Sequence, residues 1–358
     1  MKITLEQLGD NEQKPLYQDE SKLVFGSIFT DRMFTMRYTD NAWMEPRIEK
    51  YKPFHLDPSS CVLHYSQEIF EGLKAYASED GRILLFRPDQ NARRLNRSAA
   101  RLVMPTIPEE DIMQAITELV LEEKRWLPKQ PGTSLYIRPA MIATEPFLGV
   151  HPSREYIFFI IISPVGAYYK GGFKPVKLYV EDTYIRANIG GVGDVKTGGN
   201  YAASLMAGHR AQQKGYSQVL WLDGRERKYV EEVGAMNMFF VFGNKLVTPK
   251  LTGSILPGIT RASVLELANY LGLETEERLI SIDEVMEGIN TGAITEAFGS
   301  GTAAVISPVG SLYYKEKEYT INADQVGSVT QMLYDKLVNI QYGREKDPFG
   351  WVREIGRY

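Results

Sequence analysis

Apolar side chains recur along this chain in two rhythms, and the switches between the rhythms mark out its elements. Up to about Phe86 the pattern is one of short β-rich pieces, 60–65 and 82–86 among them, punctuated by Gly, Pro and Asp. A helical period then takes over. With Asn91 as its N-cap, the first predicted helix sets Leu95, Ala99 and Leu102 on one face and Arg94, Arg97 and Arg101 on another. The second starts at Pro108, places Glu109 and Glu110 in its first turn, and repeats Ile112, Ile116, Leu119 and Val120 until Pro128 stops it. Strands are expected next at 134–137 and 156–163.

Residues 165–175 are rich in glycine and aromatics, have no clear period, and read as an interdomain linker. Beyond them come a strand at 176–180, the glycine-rich segment 190–201, and a helix opened by Asn200 and ended near Gly215. Strands at 219–222 and 228–233 flank Asp223 and Gly224, a hairpin signal, and 236–242 is a further apolar strand. Later helices are expected at 260–271 and 323–340. A length of 358 residues exceeds the usual single core, so two mixed α/β domains are expected: 1–164, a linker over 165–178, and 179–358.

Composition narrows the classes. Apolar residues at 44% and charged residues at 24% describe an ordinary globular chain. A net charge of −4, with no long block of one sign, argues against nucleic acid or an anionic membrane as partner. Cys61 is the single cysteine, which rules out an intrachain disulfide and fits a cytoplasmic location. The most apolar run, 156–163, is far shorter than the roughly 20 residues that span a bilayer. His55, His64, His151 and His209 have no metal-ligand spacing, and no G-x-S-x-G elbow occurs, so neither metal nor serine-hydrolase chemistry is expected.

The segment 190–201 holds five glycines around Lys196, just before a predicted helix. Glycine permits close backbone approach to a ligand, so this lysine is suited to hold a bulky planar group, although a solvated loop lysine has the same spacing. A Walker A loop is excluded because Val195, not glycine, precedes Lys196 and Thr197. Three other places have anion-binding character. They are 255–261 with Gly258 and Thr260 at a helix start, 298–304 with the Thr302 hydroxyl, and the arginine helix. Glu231 and Glu232 end a strand, where alternation turns one of them inward and burial would demand a partner.

With these motifs in place, the chain resembles the branched-chain aminotransferases, fold type IV enzymes dependent on pyridoxal 5′-phosphate. The likeness begins near Phe25 (FGSIFTDRMF) and runs through PRI from Pro46, VLHYSQEIFEGLKAY from Val62, FRPDQNARRLNRSAARL from Phe86 and YIRP from Tyr136. It continues through the lysine segment, EVGAMN from Glu232, ILPGITR from Ile255, FGSGTAA from Phe298 and DPFGW ending at Trp351. The resemblance implies a smaller N-terminal and a larger C-terminal α/β domain with the cofactor between them.

It further implies that Lys196 carries the cofactor as a Schiff base, that Glu232 faces its pyridine nitrogen and that Tyr201 bonds its 3′ oxygen. Arg94 is implied for the phosphate, with Arg186 as a possible second arginine and Ile259, Thr260 and Thr302 completing the cup. The substrate is implied to meet Tyr65, Phe70, Tyr136, Arg138, Thr302 and Ala303, with Leu148 and Val150 supplied by the partner subunit of a homodimer. The reaction implied is transfer of the amino group of L-Leu, L-Ile or L-Val to 2-oxoglutarate, giving the branched 2-oxo acid and L-glutamate. Other fold type IV activities, D-amino-acid transamination or aminodeoxychorismate lysis, and a non-enzymatic relative are the alternatives. The chain departs from vertebrate members at Ala304 and Ser307, where those carry a Cys-x-x-Cys pair, and at Ala235, where they carry Thr.

Overall fold

The computed structural model describes residues 1–168 and 172–358; residues 169–171, inside the expected linker, lie outside the described ones. The chain divides into two compact units. The first comprises Met1–Tyr168, Val195–Gly198 and Asn339–Tyr358, and the second Tyr169–Asp194 and Gly199–Val338. No single cut in the sequence separates them, because the lysine segment and the C-terminal tail both pack with the first unit.

Among the described residues, the first unit is built on a nine-stranded sheet. Neighbour to neighbour it runs Thr4–Leu5, Ala42–Lys50, Arg32–Thr39, Tyr156–Val165, Ser134–Ala143, Leu73–Ala77, Arg82–Phe86 and Val352–Arg357, and Glu68–Phe70 also pairs with Ser134–Ala143. Its centre is antiparallel and in plain alternation. Leu73, Ala75, Leu135 and Ile137 join the core with Phe34 and Phe158, where Leu95, Ile112, Ile116 and Leu119 of two helices also pack. The register Lys74↔Tyr136 and Phe70↔Ala140 sends Phe70, Lys74, Tyr136 and Arg138 to the opposite face.

Among its described residues, the second unit carries its own nine-stranded sheet. Val230–Val233, Gln218–Leu222, Val176–Glu181, Val305–Tyr314, Glu296–Gly301 and Met236–Phe242 follow one another, and pairing of the last with the first closes them into a ring. Lys245–Pro249 and Glu274–Arg278 extend it. Leu178, Leu220, Phe240, Val247 and Leu312 fill its core with Ile282 and Val285 from the helix Ile282–Thr291.

Local chemistry places several ends differently from the periodic reading. The residues 60–65 are not a strand: Cys61–Tyr65 is one turn of helix closed by Ser66 in the left-handed region. An apolar run this short cannot distinguish the two by period. The first long helix is Pro88–Arg101, with Arg87 as N-cap and the proline at its first turn, so Asn91 lies inside it and does not cap it. The next is Glu109–Glu122, which ends before Pro128. Gly198–Gln213 and Ile259–Tyr270 begin one or two residues earlier than expected, and the last helix, Ser328–Gln341, begins later.

The Asp223–Gly224 hairpin exists with a longer loop. Asp223 accepts hydrogen bonds from the backbone N–H groups of Arg225, Glu226, Lys228 and Tyr229, so its carboxylate organises the whole loop 223–229. The helix Ile282–Thr291 was not expected, although Ser281 caps it by accepting from the Glu284 N–H and Gly292 at φ 76° ends it.

Candidate active site

Lys196 is laid along the edge of the first unit's sheet. Its carbonyl accepts from the Phe70 N–H at 3.0 Å, its own N–H donates to Ser98 Oγ at 3.1 Å, and the Thr197 hydroxyl donates to the Glu68 carbonyl at 2.7 Å. The Gly198 N–H donates to the Glu68 carboxylate, which fills the space a β-carbon at Gly198 would need. These bonds fix the backbone and leave the long side chain to point over the sheet face, where Nζ lies 4.7 Å from the centre of the Phe70 ring.

The arginine helix presents a different stripe from the one its charges mark out. Asn91, Arg94 and Ser98, spaced on one face, are buried, while Arg97 and Arg101 are exposed. Arg94 meets Glu71 through two parallel bonds, Nε to Oε1 at 2.7 Å and Nη2 to Oε2 at 2.9 Å, and Asn91 donates to the same carboxylate at 2.7 Å. Burial alone would raise the Glu71 carboxyl, but Arg94, Lys196 and Asn91 together hold it below its ordinary range. For Lys196, burial is the largest influence and the charges of Arg94 and Arg138 act with it. Glu71 and Tyr136 oppose them, and the amine is lowered to about 8.

On the same face, Arg138 donates to the Tyr136 hydroxyl at 2.8 Å and stacks over the Phe70 ring at 4.6 Å. Among the described residues, its buried Nε has no acceptor. A guanidinium N–H in that position is suited to a carboxylate brought by a ligand.

In the second unit the glutamate pair is buried on both sides, not one. Glu231 receives the Ser254 hydroxyl, and Glu232 lies 2.7 Å from Arg186 and accepts from Asn237 at 3.1 Å. Arg186 also donates to the carbonyls of Ser254 and Gly193 within this unit. Asn237 donates in addition to the Leu256 carbonyl at 2.9 Å, which ties the Glu232 strand to the loop before the helix Ile259–Tyr270. That helix begins at Gly258 with no side-chain cap, so its first N–H groups are available to an anion. A β-carbon at Gly258 would stand 2.0 Å from Asn237 Oδ1, so only glycine lets the backbone come this close.

Thr260 is buried at this helix start. Ser300, cross-strand from Asn237, has a buried hydroxyl without a partner among the described residues. Helix start, glycine and hydroxyl together fit a phosphate.

The remaining expected residues fall apart into separate places. Thr302 and Ala303 occupy the turn between Glu296–Gly301 and Val305–Tyr314, and Tyr201 is half-buried in the first turns of Gly198–Gln213. Tyr65 donates to the Leu148 carbonyl, and Leu148 and Val150 are 61% and 85% exposed. Glu71, Ser98 and Asn237 were not singled out from the sequence, and Asn91 only as a helix cap. The one signal for Glu71 was an acidic residue placed between apolar strand residues.

Among the described residues no helix is long and apolar enough to cross a membrane, and no group of His, Cys, Asp and Glu could hold a metal ion. The family model for amino-transferase class IV matches residues 68–312, the span that includes the lysine segment, the Glu71–Arg94 pair and the Glu232 cradle. The chain belongs to the class IV aminotransferases. Branched-chain-amino-acid transaminase 1 of Bacillus subtilis (strain 168) is 55% identical to it over 346 residues, 96% of each chain.

The crystal structure of the Escherichia coli branched-chain amino acid aminotransferase matches with a TM-score of 0.77 at 27% identity, covering 91% of this chain and 99% of that one. The T.th. branched-chain amino acid aminotransferase with pyridoxamine 5′-phosphate matches with a TM-score of 0.74 at 26% identity, covering 90% and 98%. In this class IV aminotransferase, burial and the charges of Arg94 and Arg138 lower the amine of Lys196 to about 8.

Proposed function

We propose that the protein is a branched-chain amino-acid aminotransferase: it moves the amino group of L-Leu, L-Ile or L-Val to 2-oxoglutarate with pyridoxal 5′-phosphate as cofactor. The observation that carries this reading is Lys196, a buried amine lowered to about 8 on a sheet face lined by Phe70, Tyr136 and Arg138. Pyridoxal phosphate, when bound, supplies an electron-accepting ring that lets the amino group and the Cα proton of an amino acid be moved.

Everything else is the chain's own work. Lys196 holds the cofactor and then takes and returns the proton at Cα, a task that needs an amine neutral near physiological pH. Glu232, fixed by Arg186 and Asn237, faces the pyridine nitrogen and keeps a proton on it. Arg94, the N–H groups of Ile259 and Thr260, and the Thr302 hydroxyl hold the phosphate, while Arg186 serves to hold Glu232. Tyr201 bonds the 3′ oxygen.

Phe70, Tyr65, Tyr136 and Ala303 wall the side-chain pocket, and Arg138 greets the distal carboxylate of glutamate. Leu148 and Val150, exposed apolar residues, meet the pocket of a second copy in a homodimer. An apolar wall discriminates a methylene by only about 1–3 kcal/mol, so all three branched amino acids react. The enzyme works in the cytoplasm, in keeping with its single buried cysteine.

The test is the absorption spectrum of the purified protein beside Lys196→Ala, before and after L-leucine. A band near the visible edge that shifts with L-leucine in the wild type and is lost or altered in the variant supports the reading. A protein that takes up no added cofactor overturns it in favour of a non-enzymatic role. A shift with D-alanine in place of L-leucine points to D-amino-acid transamination.

A further inference from the structure

Glu231 is a buried carboxyl group that the chemistry above does not use, and it stands immediately before Glu232. In the hairpin, the three steps from Val230 to Val233 lie against the two from Leu222 to Leu220, so the strand Val230–Val233 carries one residue more than its neighbour. Such a bulge breaks the alternation of faces, and both glutamates are buried, at 5% and 2% exposed. Burial pushes the Glu231 carboxyl up and the charge of Asp223 acts with it, whereas the Ser254 hydroxyl and Arg186 oppose them. A carboxyl group so placed has to be answered by hydrogen bonds.

The two glutamates hold one short loop at two points. Glu231 takes the hydroxyl of Ser254, which is itself 1% exposed and lies 2.9 Å from the Thr252 hydroxyl. A hydroxyl has one proton to give, so with Ser254 donating to the carboxylate, Thr252 donates to Ser254. The Ser254 carbonyl accepts from Arg186 at 3.0 Å, so this residue is held by side chain and backbone alike. Two residues on, Glu232 acts through Asn237, whose amide donates to Glu232 at 3.1 Å and to the Leu256 carbonyl at 2.9 Å. Gly258 and the helix Ile259–Tyr270 follow at once. Where Ser254 and Leu256 are held thus sets the direction of the first N–H groups of that helix, and a misaimed N–H binds an anion much more weakly.

We propose that Glu231 is a positioning residue: by holding Ser254 it aims the start of the helix Ile259–Tyr270 at the cofactor's phosphate. The inference rests on the aminotransferase reading above and adds to it the residue that orients the phosphate end of the site. Removing Glu231 then acts on affinity for the phosphate and not on the reaction of Lys196 with the aldehyde.

The experiment titrates the full-length apoprotein with pyridoxal 5′-phosphate and, separately, with pyridoxal, which brings the aldehyde without the phosphate, and follows absorbance. Glu231→Ala and Ser254→Ala should each weaken binding of pyridoxal 5′-phosphate about 3- to 10-fold, the worth of one hydrogen bond. Pyridoxal should bind both variants as it binds the wild type. Glu231→Gln keeps an acceptor for the Ser254 hydroxyl and should recover most of the affinity. The double variant should be no weaker than Glu231→Ala, because the two changes remove the same bond.

Equal losses for pyridoxal and pyridoxal 5′-phosphate would make Glu231 a structural group only, and no loss for either would show that the loop needs no such hold; both overturn the role of Glu231. If Glu231→Ala does not fold, Ser254→Ala gives the same readout. A wild type that takes up neither compound would instead overturn the aminotransferase reading. The protection that inorganic phosphate gives against urea, compared in wild type and Ser254→Ala, would still decide on Glu231.

Discussion

The lysine face of the first unit and the glutamate cradle of the second are both buried and charged, yet they balance charge in opposite ways. On the lysine face, burial first and then the charges of Arg94 and Arg138 disfavour the Lys196 ammonium, Glu71 and Tyr136 oppose them, and the amine is driven down to about 8. In the cradle, Arg186 pairs with Glu232 and donates to the backbone carbonyls of Gly193 and Ser254, while Glu231 is held by the Ser254 hydroxyl. A desolvated amine beside other cations is a reactive group. A paired ion makes an anchor, because a paired and hydrogen-bonded ion has little reason to change its protonation.

That contrast can be broken by separating activity from stability. Lys196→Ala should give the largest effect, a loss of at least about a thousandfold in turnover of L-leucine. The variant should unfold at the same or higher urea concentration than wild type, since a desolvated amine has been removed. A variant that unfolds much earlier would show that Lys196 is a structural ion after all.

Arg186→Met should do the reverse. Leaving Glu232 buried and unmatched costs about 3–5 kcal/mol in urea unfolding of the protein without cofactor, and an unchanged midpoint would mean that the pair is not an anchor.

Glu71→Gln sharpens the lysine side of the comparison. Loss of the charge that meets Arg94 should destabilise by about 1.5–3 kcal/mol. It should also move Lys196, because Glu71 is one of the groups that raise its amine. Only a neutral amine is acylated, so in the apoprotein the rate of Lys196 modification should rise through pH about 8, where surface lysines rise near 10.4. In Glu71→Gln that midpoint should fall lower still; a midpoint that stays or rises would remove Glu71 from the tuning of Lys196.

Gly258→Ala is expected to be the mildest change, about 1–3 kcal/mol, since Asn237 can move away from the added methyl at the expense of its bonds to Glu232 and Leu256. Weaker binding of inorganic phosphate to the apoprotein should accompany it. Unchanged stability and phosphate binding would mean that the close approach at Gly258 serves neither.

Local pattern made much of this protein legible. The apolar period found the helices Pro88–Arg101 and Glu109–Glu122 and the strand Tyr156–Val165, and the glycine density around Lys196 marked the residue on which the proposed chemistry turns. Period and turn chemistry act over a few residues, and such features are written where they operate.

Pairing across the fold is different. Glu71 and Arg94 stand 23 residues apart, Lys196 and Ser98 stand 98 apart, and Arg186, in a loop, meets Glu232 on the strand Val230–Val233. No local rule could show that Asn91, Arg94 and Ser98, and not the three arginines, form the buried stripe, because that depends on which side of the helix the sheet covers. The sequence by itself located most of the elements and drew attention to the glycine-rich segment around Lys196. Only the tertiary structure decided which charges answer one another, since strand register and the order of strands in a sheet, not proximity along the chain, choose the neighbours of a buried ion.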